Sequence, residues 1–254
     1  MDLELKGKSV LVGGASRGIG LAIAAAFVAE GAQVTITGRD ADALETARAD
    51  ISAALAVAGD LGADGQAAHA VAATIAAHGP LDILIANVGS GRATPGWDVS
   101  HDEWRAVFET NLWTSMKLVD AALPGMTAMG NGSIVMIGSI AGLEAIGAPI
   151  AYSAAKTALA SYAKNLSRAV GREGVRVNCV APGNVYFEGG TWDRKMREDE
   201  AGVRAYLDAE VPLNRFATPE EIADLAMFVA SPRASFITGA CLVADGGQTH
   251  GGYW

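Results

Sequence analysis

Short runs of apolar, often β-branched residues alternate along this chain with longer alanine-rich stretches. The runs are nearly continuous rather than alternating with polar residues, as is typical of strands buried on both faces of a sheet. Seven runs are predicted as strands: Ser9–Gly13, Gln33–Thr37, Ala54–Ala58, Asp82–Ala86, Ser133–Gly138, Arg176–Val180 and Ala240–Ala244. Six stretches are predicted as helices: Ile19–Glu30, Ala41–Ile51, Asp64–His78, Asp102–Met129, Ala151–Glu173 and Pro219–Ala230. The alternation predicts an α/β fold, a doubly wound seven-stranded parallel sheet flanked by helices on both faces.

The chain shows no internal repeat and no Ser-, Gly- or Pro-rich linker, so residues 1–254 are predicted to form a single domain. Only residues 184–211 break the rhythm, with three aromatic residues followed by WDRKMREDE and a short amphipathic helix. This segment is either a solvated surface helix or a substrate lid, since long irregular insertions in compact domains are usually functional or disordered.

Composition excludes several classes of protein. Half of the 254 residues are hydrophobic, which is enough for a full core, and two cysteines are too few for a disulfide scaffold. No apolar run reaches the roughly 18 residues of a membrane span, and the charged start is unlike a signal peptide. We therefore expect a cytoplasmic protein that does not bind a membrane. A net charge of −9 with mixed signs argues against nucleic acid, and four scattered histidines argue against a metal site.

A glycine-rich turn, GGASRGIG, follows the first predicted strand and leads directly into an apolar helix. Gly14, Gly18 and Gly20 lack a Cβ, so the backbone can approach a pyrophosphate closely while the positive end of the helix faces it. In a chain with 31 glycines this spacing also fits an ordinary strand–helix turn. Its place after the first strand favours dinucleotide binding.

The end of the second predicted strand bears on the choice of cofactor. Enzymes that prefer NAD commonly carry an acid there, which binds the ribose hydroxyls, whereas this chain has Gly38. Arg39 follows, and Arg17 lies in the glycine-rich turn, so two guanidinium groups can converge on a 2′-phosphate. We therefore expect NADP. The alternatives are a solvated Arg39 and an Asp40 that caps the next helix or binds ribose, as in an NAD enzyme.

Tyr152 and Lys156 lie four residues apart in a predicted helix, so their side chains share one helical face. An adjacent ammonium favours the phenolate and lowers the pKa of a tyrosine, which makes the pair a tunable acid and base. Ser139, at the end of the fifth predicted strand, can hold a substrate oxygen and stabilise developing charge. The same spacing also occurs in many ordinary amphipathic helices.

These motifs occur in the order and approximate spacing of the short-chain dehydrogenase/reductase family, which the chain resembles over essentially its whole length. The motifs are GGASRGIG, Asp60-Leu61, Ala86–Gly89, Asn111, Ser139, Tyr152-x-x-x-Lys156, Pro182-Gly183 and Asp245–Gly247. The resemblance implies a Rossmann-type domain, a nicotinamide cofactor and the reversible oxidation of an alcohol to a carbonyl.

The resemblance also implies roles for individual residues. Tyr152 is expected to donate and accept the proton, Lys156 to lower its pKa and bind the nicotinamide ribose, Ser139 to anchor the substrate oxygen, and Asn111 to hold a water for proton relay. Asp60 and Leu61 are expected at the adenine, Asn87 along the adenosine and Val185 near the carboxamide. The predicted cofactor-binding residues are Gly14, Ser16, Arg17, Gly18, Ile19, Gly20, Arg39, Asp60, Leu61, Asn87, Gly89, Tyr152, Lys156, Pro182, Gly183 and Val185.

Three departures from the family pattern affect the cofactor side. Gly13 replaces a threonine whose hydroxyl ties the turn to the fourth strand, and Ala86-Asn87-Val88-Gly89 replaces Asn-Asn-Ala-Gly. Both changes fall in one packing region and are interpreted as compensatory. The threonine that usually follows Pro-Gly and clamps the carboxamide is absent from residues 184–188.

We therefore expect an NADP(H)-preferring oxidoreductase that interconverts a secondary alcohol and a ketone. Within the family the alternatives are a 3-oxoacyl thioester reductase and an NAD-dependent alcohol dehydrogenase; outside it, the alternative is a regulatory protein that binds the cofactor without turnover. Tyr186, Phe187 and Trp192, with Glu144 and Ile146, are expected to frame the pocket, which favours an apolar or aromatic ketone. The resemblance also implies a homotetramer or homodimer, to which Tyr253 and Trp254 would contribute unless they are merely an exposed chain end.

Overall fold

A computed structural model describes residues 2–251 of the chain. Its strands form one seven-stranded parallel sheet in the order β3-β2-β1-β4-β5-β6-β7. The strands are β1 (Ser9–Val12), β2 (Gln33–Gly38), β3 (Leu55–Ala58), β4 (Ile83–Ala86), β5 (Gly132–Ile137), β6 (Val175–Pro182) and β7 (Cys241–Ala244). The predicted fold class, a Rossmann-type α/β sheet, is confirmed.

Helices pack on both faces of the sheet. They are α1 (Gly18–Ala29), α2 (Ala41–Ile51), α3 (Gln66–His78), α4 (His101–Phe108), α5 (Thr114–Met129), α6 (Ile150–Val170), α7 (Thr191–Glu198), α8 (Glu200–Glu210) and α9 (Pro219–Ala230). Helices α1 and α9 pack together on one face, while α3, α5 and α6 cover the other. The start of α9 is fixed by a reciprocal cap in which Thr218 and Glu221 accept each other's backbone N–H.

The core explains why the strands contain so few polar residues. In β4, Ile83 and Ile85 belong to the hydrophobic cluster under α1 and α9, whereas Leu84 belongs to the cluster on the opposite face. Residues Ile134 and Val135 of β5 divide between the two clusters in the same way. Successive side chains of a strand point to opposite faces, so a sheet covered on both sides needs an apolar residue at nearly every position.

Two predicted helical segments differ from the structure in more than the position of their ends. The predicted helix Asp102–Met129 begins one residue earlier and is interrupted by a π-helical turn at Glu109–Trp113 between α4 and α5. The segment at 184–211, expected to end in one short helix, contains two, because α7 ends and α8 begins around Asp199, whose carboxylate accepts the N–H of Gly202. Such π turns frequently occur at functional sites.

Strand β1 pairs with β2 on one side and with β4 on the other, so the chain reverses its direction of winding between β1 and β4. Ligands of open α/β sheets bind in the crevice at such a reversal, outside the carboxyl ends of the strands. Within residues 2–251, no helix is long and apolar enough to cross a membrane. Tyr253 and Trp254 lie outside the described residues.

Candidate active site

A long cleft runs along the carboxyl ends of the strands and collects almost all of the predicted site residues. The predicted residues that line it are Gly14, Ser16, Arg17, Ile19, Gly20, Arg39, Asp60, Leu61, Asn87, Gly89, Ser139, Tyr152, Lys156, Pro182, Gly183 and Val185. Two others lie just behind its surface: Gly18 is covered by a side chain from the 184–211 segment, and Asn111 is buried.

The glycine-rich turn has a backbone shape that requires its glycines. Gly14 and Gly18 have φ angles of 69° and 58°, in the left-handed region that side chains disfavour. A Cβ on Gly20 would lie 2.3 Å from the carbonyl oxygen of Gly14, so α1 can approach the turn only because that residue is glycine. Asn87 ties the turn to β4, since its Nδ2 donates to the carbonyl oxygens of Gly13 and Gly14 at 3.2 and 2.9 Å. The bare backbone and the start of α1 therefore form a position suited to a pyrophosphate.

The structure supports the interpretation that the changes near Gly13 compensate one another. A Cβ on Gly13 would lie 2.9 Å from Cδ1 of Leu118 and 3.5 Å from Cγ2 of Val88, so these two side chains fill the space that a threonine would need. Thr37 of β2 supplies a hydroxyl to the turn, accepting the N–H of Gly14 at 3.0 Å.

The end of β2 favours a phosphate over ribose hydroxyls. Arg17 and Arg39 are both exposed and line the same end of the cleft. The carboxylate of Asp40 caps α2 by accepting the N–H of Ala43 at 3.0 Å, which is the capping alternative considered for this residue. Seven lysine or arginine residues and four aspartate or glutamate residues line the cleft of a chain whose net charge is −9. This local excess of positive charge suits a polyanionic ligand.

The tyrosine, the lysine and the serine meet where β5 ends and α6 begins. Lys156 Nζ lies 5.9 Å from the centre of the Tyr152 ring and donates to the carbonyl oxygen of Ile137 at 2.8 Å. Ser139 forms a hydrogen bond with Tyr152, and its Oγ also accepts the N–H of Ala141 at 3.1 Å. The phenol and the serine hydroxyl can therefore both form hydrogen bonds with one substrate oxygen in the cleft.

Burial dominates the electrostatics of these groups. It raises the pKa of Tyr152 above its usual value, while the hydrogen bond with Ser139 opposes that shift. Burial also lowers the pKa of Lys156 to about 8, with Cys179 acting in the opposite direction. From the sequence, Lys156 is expected to lower the pKa of Tyr152. In the structure that pKa is raised instead, because the loss of solvent around the phenol has the largest effect.

Asn111 lies in the π-helical turn, and its side chain joins this turn to the loop after β4. Its Nδ2 donates to the carbonyl oxygen of Val107 at 3.0 Å, and its Oδ1 accepts the N–H of Ser90 at 2.9 Å. A Cβ on Gly89 would lie 3.0 Å from this Oδ1 and 3.1 Å from Lys156 Nζ. The glycine thus leaves room for the amide oxygen and the ammonium to approach the same point of the backbone, close to the cleft.

The three aromatic residues predicted to frame a substrate pocket have three different positions. Phe187 and Trp192 both line the cleft, but the ring of Phe187 packs on Gly18 in the glycine-rich turn. Tyr186 instead packs on Phe216 with ring centres 5.7 Å apart and donates its hydroxyl to Asp193 at 2.9 Å. The expectation that three aromatic rings frame the pocket is therefore wrong for Tyr186, whereas Phe187 and Trp192 do line the cleft. Ile146 lines the cleft, while the Glu144 carboxylate accepts backbone N–H groups of His250 and Gly251.

A polar network beside the cleft was not predicted from the sequence motifs. The hydroxyl oxygen of Tyr206 on α8 accepts Gln248 Nε2 at 2.6 Å and Asn184 Nδ2 at 3.2 Å, and Asn184 Nδ2 also donates to Gln248 Oε1 at 2.8 Å. Both amides are buried, and Tyr206 stacks on Trp192 at 5.2 Å between ring centres. Gln248 directly follows the Asp245–Gly247 motif and Asn184 directly follows Pro182-Gly183, so two of the sequence motifs lie next to this network.

Comparison with known proteins agrees with this geometry. The family model described as enoyl-(acyl carrier protein) reductase matches residues 14–249. The chain is 35% identical to the 3-oxoacyl-[acyl-carrier-protein] reductase FabG of Chlamydia muridarum, over 98% of this chain and 100% of the relative. It is 37% identical to the galactitol 2-dehydrogenase (L-tagatose-forming) of Cereibacter sphaeroides, over 97% of this chain and 96% of the relative. The crystal structure of L-sorbose reductase from Gluconobacter frateurii, complexed with NADPH and L-sorbose, superposes with a TM-score of 0.91 at 29% identity, over 99% of this chain and 100% of that one.

The fold, the cleft and these matches define the class of the protein. The chain belongs to the short-chain dehydrogenase/reductase family, as its motifs predicted. It is an NAD(P)-dependent oxidoreductase of that family.

Proposed function

We propose that the protein is an NADP(H)-preferring oxidoreductase that interconverts a secondary alcohol and a ketone, with Tyr152 as the general acid and base. The observation that carries this proposal is the convergence of Tyr152, Lys156 and Ser139 in one cleft with a bare glycine-rich turn. The preference for NADP is supported by Arg17 and Arg39 at the end of β2, by the capping role of Asp40, and by the NADPH bound in L-sorbose reductase.

The residues of the cleft fit a nicotinamide dinucleotide. The glycine-rich turn would hold the pyrophosphate, Asp60 and Leu61 the adenine, Lys156 the nicotinamide ribose, and Arg17 with Arg39 the 2′-phosphate. When bound, the cofactor supplies or accepts the hydride. The chain itself holds the substrate oxygen with Ser139 and moves a proton between that oxygen and the hydroxyl of Tyr152.

The remaining assignments follow from position. The amide of Asn111 is placed to hold a water that returns the proton from solvent, because its π-helical turn brings Oδ1 next to the backbone that Lys156 also faces. Residues 184–211 act as a substrate lid, since α7 and α8 contribute Trp192 and Tyr206 to the cleft. We also propose that the chain assembles as a homotetramer or homodimer. The partly exposed strand β7 and the fully exposed side chain of Phe236 support this assembly, because both could be covered by a second copy. Light scattering tests it.

A 3-oxoacyl thioester is the second candidate substrate. The similarity to FabG of Chlamydia muridarum favours it, and Arg92, Arg194 and Lys195 line the cleft, where they would attract an acidic carrier. A 3-oxoacyl thioester assayed beside simple ketones distinguishes the two.

The test is a panel of ketones and alcohols assayed in parallel with NADPH and NADH, for the native chain and for Tyr152→Phe. We expect turnover with NADPH above that with NADH and a loss of turnover of about 10²–10⁴-fold in Tyr152→Phe, with cofactor binding retained. A native chain that binds the cofactor, turns over no member of the panel and keeps its biological effect in Tyr152→Phe would instead be a regulatory protein.

A further inference from the structure

The phenol of Tyr206 has its acceptor capacity filled by the protein, whereas its donor is free for a ligand. Its oxygen accepts N–H groups from both Gln248 and Asn184. Neither amide nitrogen can accept a proton in return, and within residues 2–251 the Tyr206 O–H has no acceptor in the protein. The two amides thus fix the position of the oxygen and leave the O–H as the one group that can bind a further oxygen.

The same network also offers an acceptor. Asn184 uses both hydrogens of Nδ2, for Gln248 and Tyr206, while its Oδ1 makes no hydrogen bond among the described residues. Asn184 and Tyr206 both line the cleft that contains Tyr152 and Ser139. A donor and an acceptor held by one network match a hydroxyl group, which can accept from the phenol and donate to the amide.

The network is built to keep this arrangement. Asn184 is 9% exposed and Gln248 is 3% exposed, so neither amide can satisfy its hydrogen bonds with solvent alone. Stacking on Trp192 fixes the plane of the Tyr206 ring. Groups fixed in this way discriminate between ligands because they lose little freedom on binding.

We propose that Tyr206 and Asn184 form a subsite for a hydroxyl group of the substrate, so that the substrate class is a hydroxylated ketone and the corresponding diol or polyol. This deepens the proposed function, and it rests on Tyr152 being the acid and base at the reacting carbonyl. Tyr206 determines specificity and takes no part in the proton transfer.

The test compares 3-hydroxybutan-2-one with butan-2-one, which differ by one hydroxyl group, as the ratio of their kcat/KM values with NADPH. In the native chain we expect this ratio to favour the hydroxylated ketone by about tenfold or more. Tyr206→Phe removes the hydroxyl, and with it both the donor for the ligand and the oxygen that accepts from the two amides, and should bring the ratio down by about three- to tenfold. Tyr186→Phe is the matched control, because it removes a lid phenol that bonds to Asp193 outside the cleft, and it should leave the ratio unchanged.

Gln248→Glu is a second variant that keeps the phenol. The new carboxylate can accept the Tyr206 O–H and so redirect it away from the ligand, and the preference should fall as in Tyr206→Phe. Thermal unfolding of each variant shows whether the fold is retained. A native ratio near one, or a preference that persists in both folded variants, would overturn the subsite.

Calorimetric titration with butane-2,3-diol and butan-2-ol, with and without NADP⁺, separates this proposal from the proposed function. If the native chain binds the diol selectively but turns over neither ketone, and Tyr206→Phe loses that selective binding, the result would reject the reaction and support the subsite. Turnover of both ketones with equal binding of the two alcohols would support the reaction and reject the subsite.

Discussion

The phenyl ring of Phe187 packs directly on the backbone of Gly18, at the start of α1. Ring atoms Cε2 and Cζ lie 2.8 Å from the position that a Cβ of Gly18 would occupy. Nearby, Arg17 Nη1 lies 3.5 Å from the Cβ position of Gly189, so the lid segment contacts the glycine-rich turn at a second point. Phe187 is also a residue of the stretch in which the family usually carries a threonine. The ring therefore lies against the turn that is suited to a pyrophosphate, and we expect it to compete with a cofactor there.

Replacement of Phe187 by threonine is expected to tighten cofactor binding. Less apolar contact has to be broken when the smaller side chain leaves the turn, and its hydroxyl can face the cofactor. We expect the Kd for NADPH, measured by calorimetry, to fall by about tenfold, equivalent to about 1.4 kcal/mol. Tyr186→Thr removes the neighbouring ring, which packs on Phe216 instead, and serves as the control with an unchanged Kd. Weaker binding by Phe187→Thr would mean that the ring supports the cofactor rather than competes with it.

The example of Phe187 also shows what the sequence can and cannot predict. The strands were predictable because a sheet covered on both faces requires continuous apolar runs, and the site was predictable because the carboxyl ends of parallel strands meet in one cleft. Phe187 and Tyr186 are adjacent aromatic residues, however, and nothing local indicates that one packs on Gly18 and the other on Phe216. Their orientation depends on tertiary contacts.

Two further features escaped prediction for related reasons. The residues of the π-helical turn, ETNLW, continue the apolar pattern of the flanking helices, so the pattern contains no sign of the change in hydrogen bonding. Asn184, Tyr206 and Gln248 are separated by 22 and 42 residues, and such a network forms only once the lid and the end of β7 are in place.

Lys156→Met should remove a pH dependence of stability. Burial lowers the pKa of Lys156 from 10.5 to about 8, so between these values the unfolded chain binds more protons than the folded one, and the free energy of unfolding rises with pH. From pH 7.5 to 9.5 we expect this rise to be about 2 kcal/mol larger in the native chain than in Lys156→Met, measured by denaturant titration. The pKa of Tyr152 is raised, so its own effect on stability begins only near pH 10, above this range. Exposed Lys6→Met is the control and should follow the native chain; identical slopes in all three would contradict the prediction.

Arg39→Ala and Arg17→Ala are expected to weaken binding of NADPH but not of NADH. Arg39 is exposed at the end of β2, and Arg17 is exposed in the glycine-rich turn. Both would bind the 2′-phosphate, which NADPH carries and NADH lacks. A charge-assisted hydrogen bond contributes about 1.5–3 kcal/mol, so each substitution should raise the Kd for NADPH by about tenfold or more. Arg48→Ala, which breaks an ion pair with Glu45 on α2, is the control. If both cofactors weaken equally, the arginines bind a part of the dinucleotide that NADH shares.

Gly13→Thr should destabilise the chain, and Leu118→Ala should partly relieve that effect. The Cβ of the new residue would lie 2.9 Å from Cδ1 of Leu118, a fully buried side chain, so overpacking should lower the free energy of unfolding by about 1–3 kcal/mol. Leu118→Ala alone should lower it by about 2–5 kcal/mol, because it leaves a cavity. In the double variant the threonine enters that cavity, so the loss should be smaller than the sum by about 1 kcal/mol or more in urea unfolding. The control pair is Gly13→Thr with Ile134→Ala, because Ile134 belongs to the same hydrophobic cluster as Leu118 but lies on β5. The losses of unfolding free energy in this pair should be additive. Additivity in the Leu118 pair as well would show that the two positions do not share one packing space.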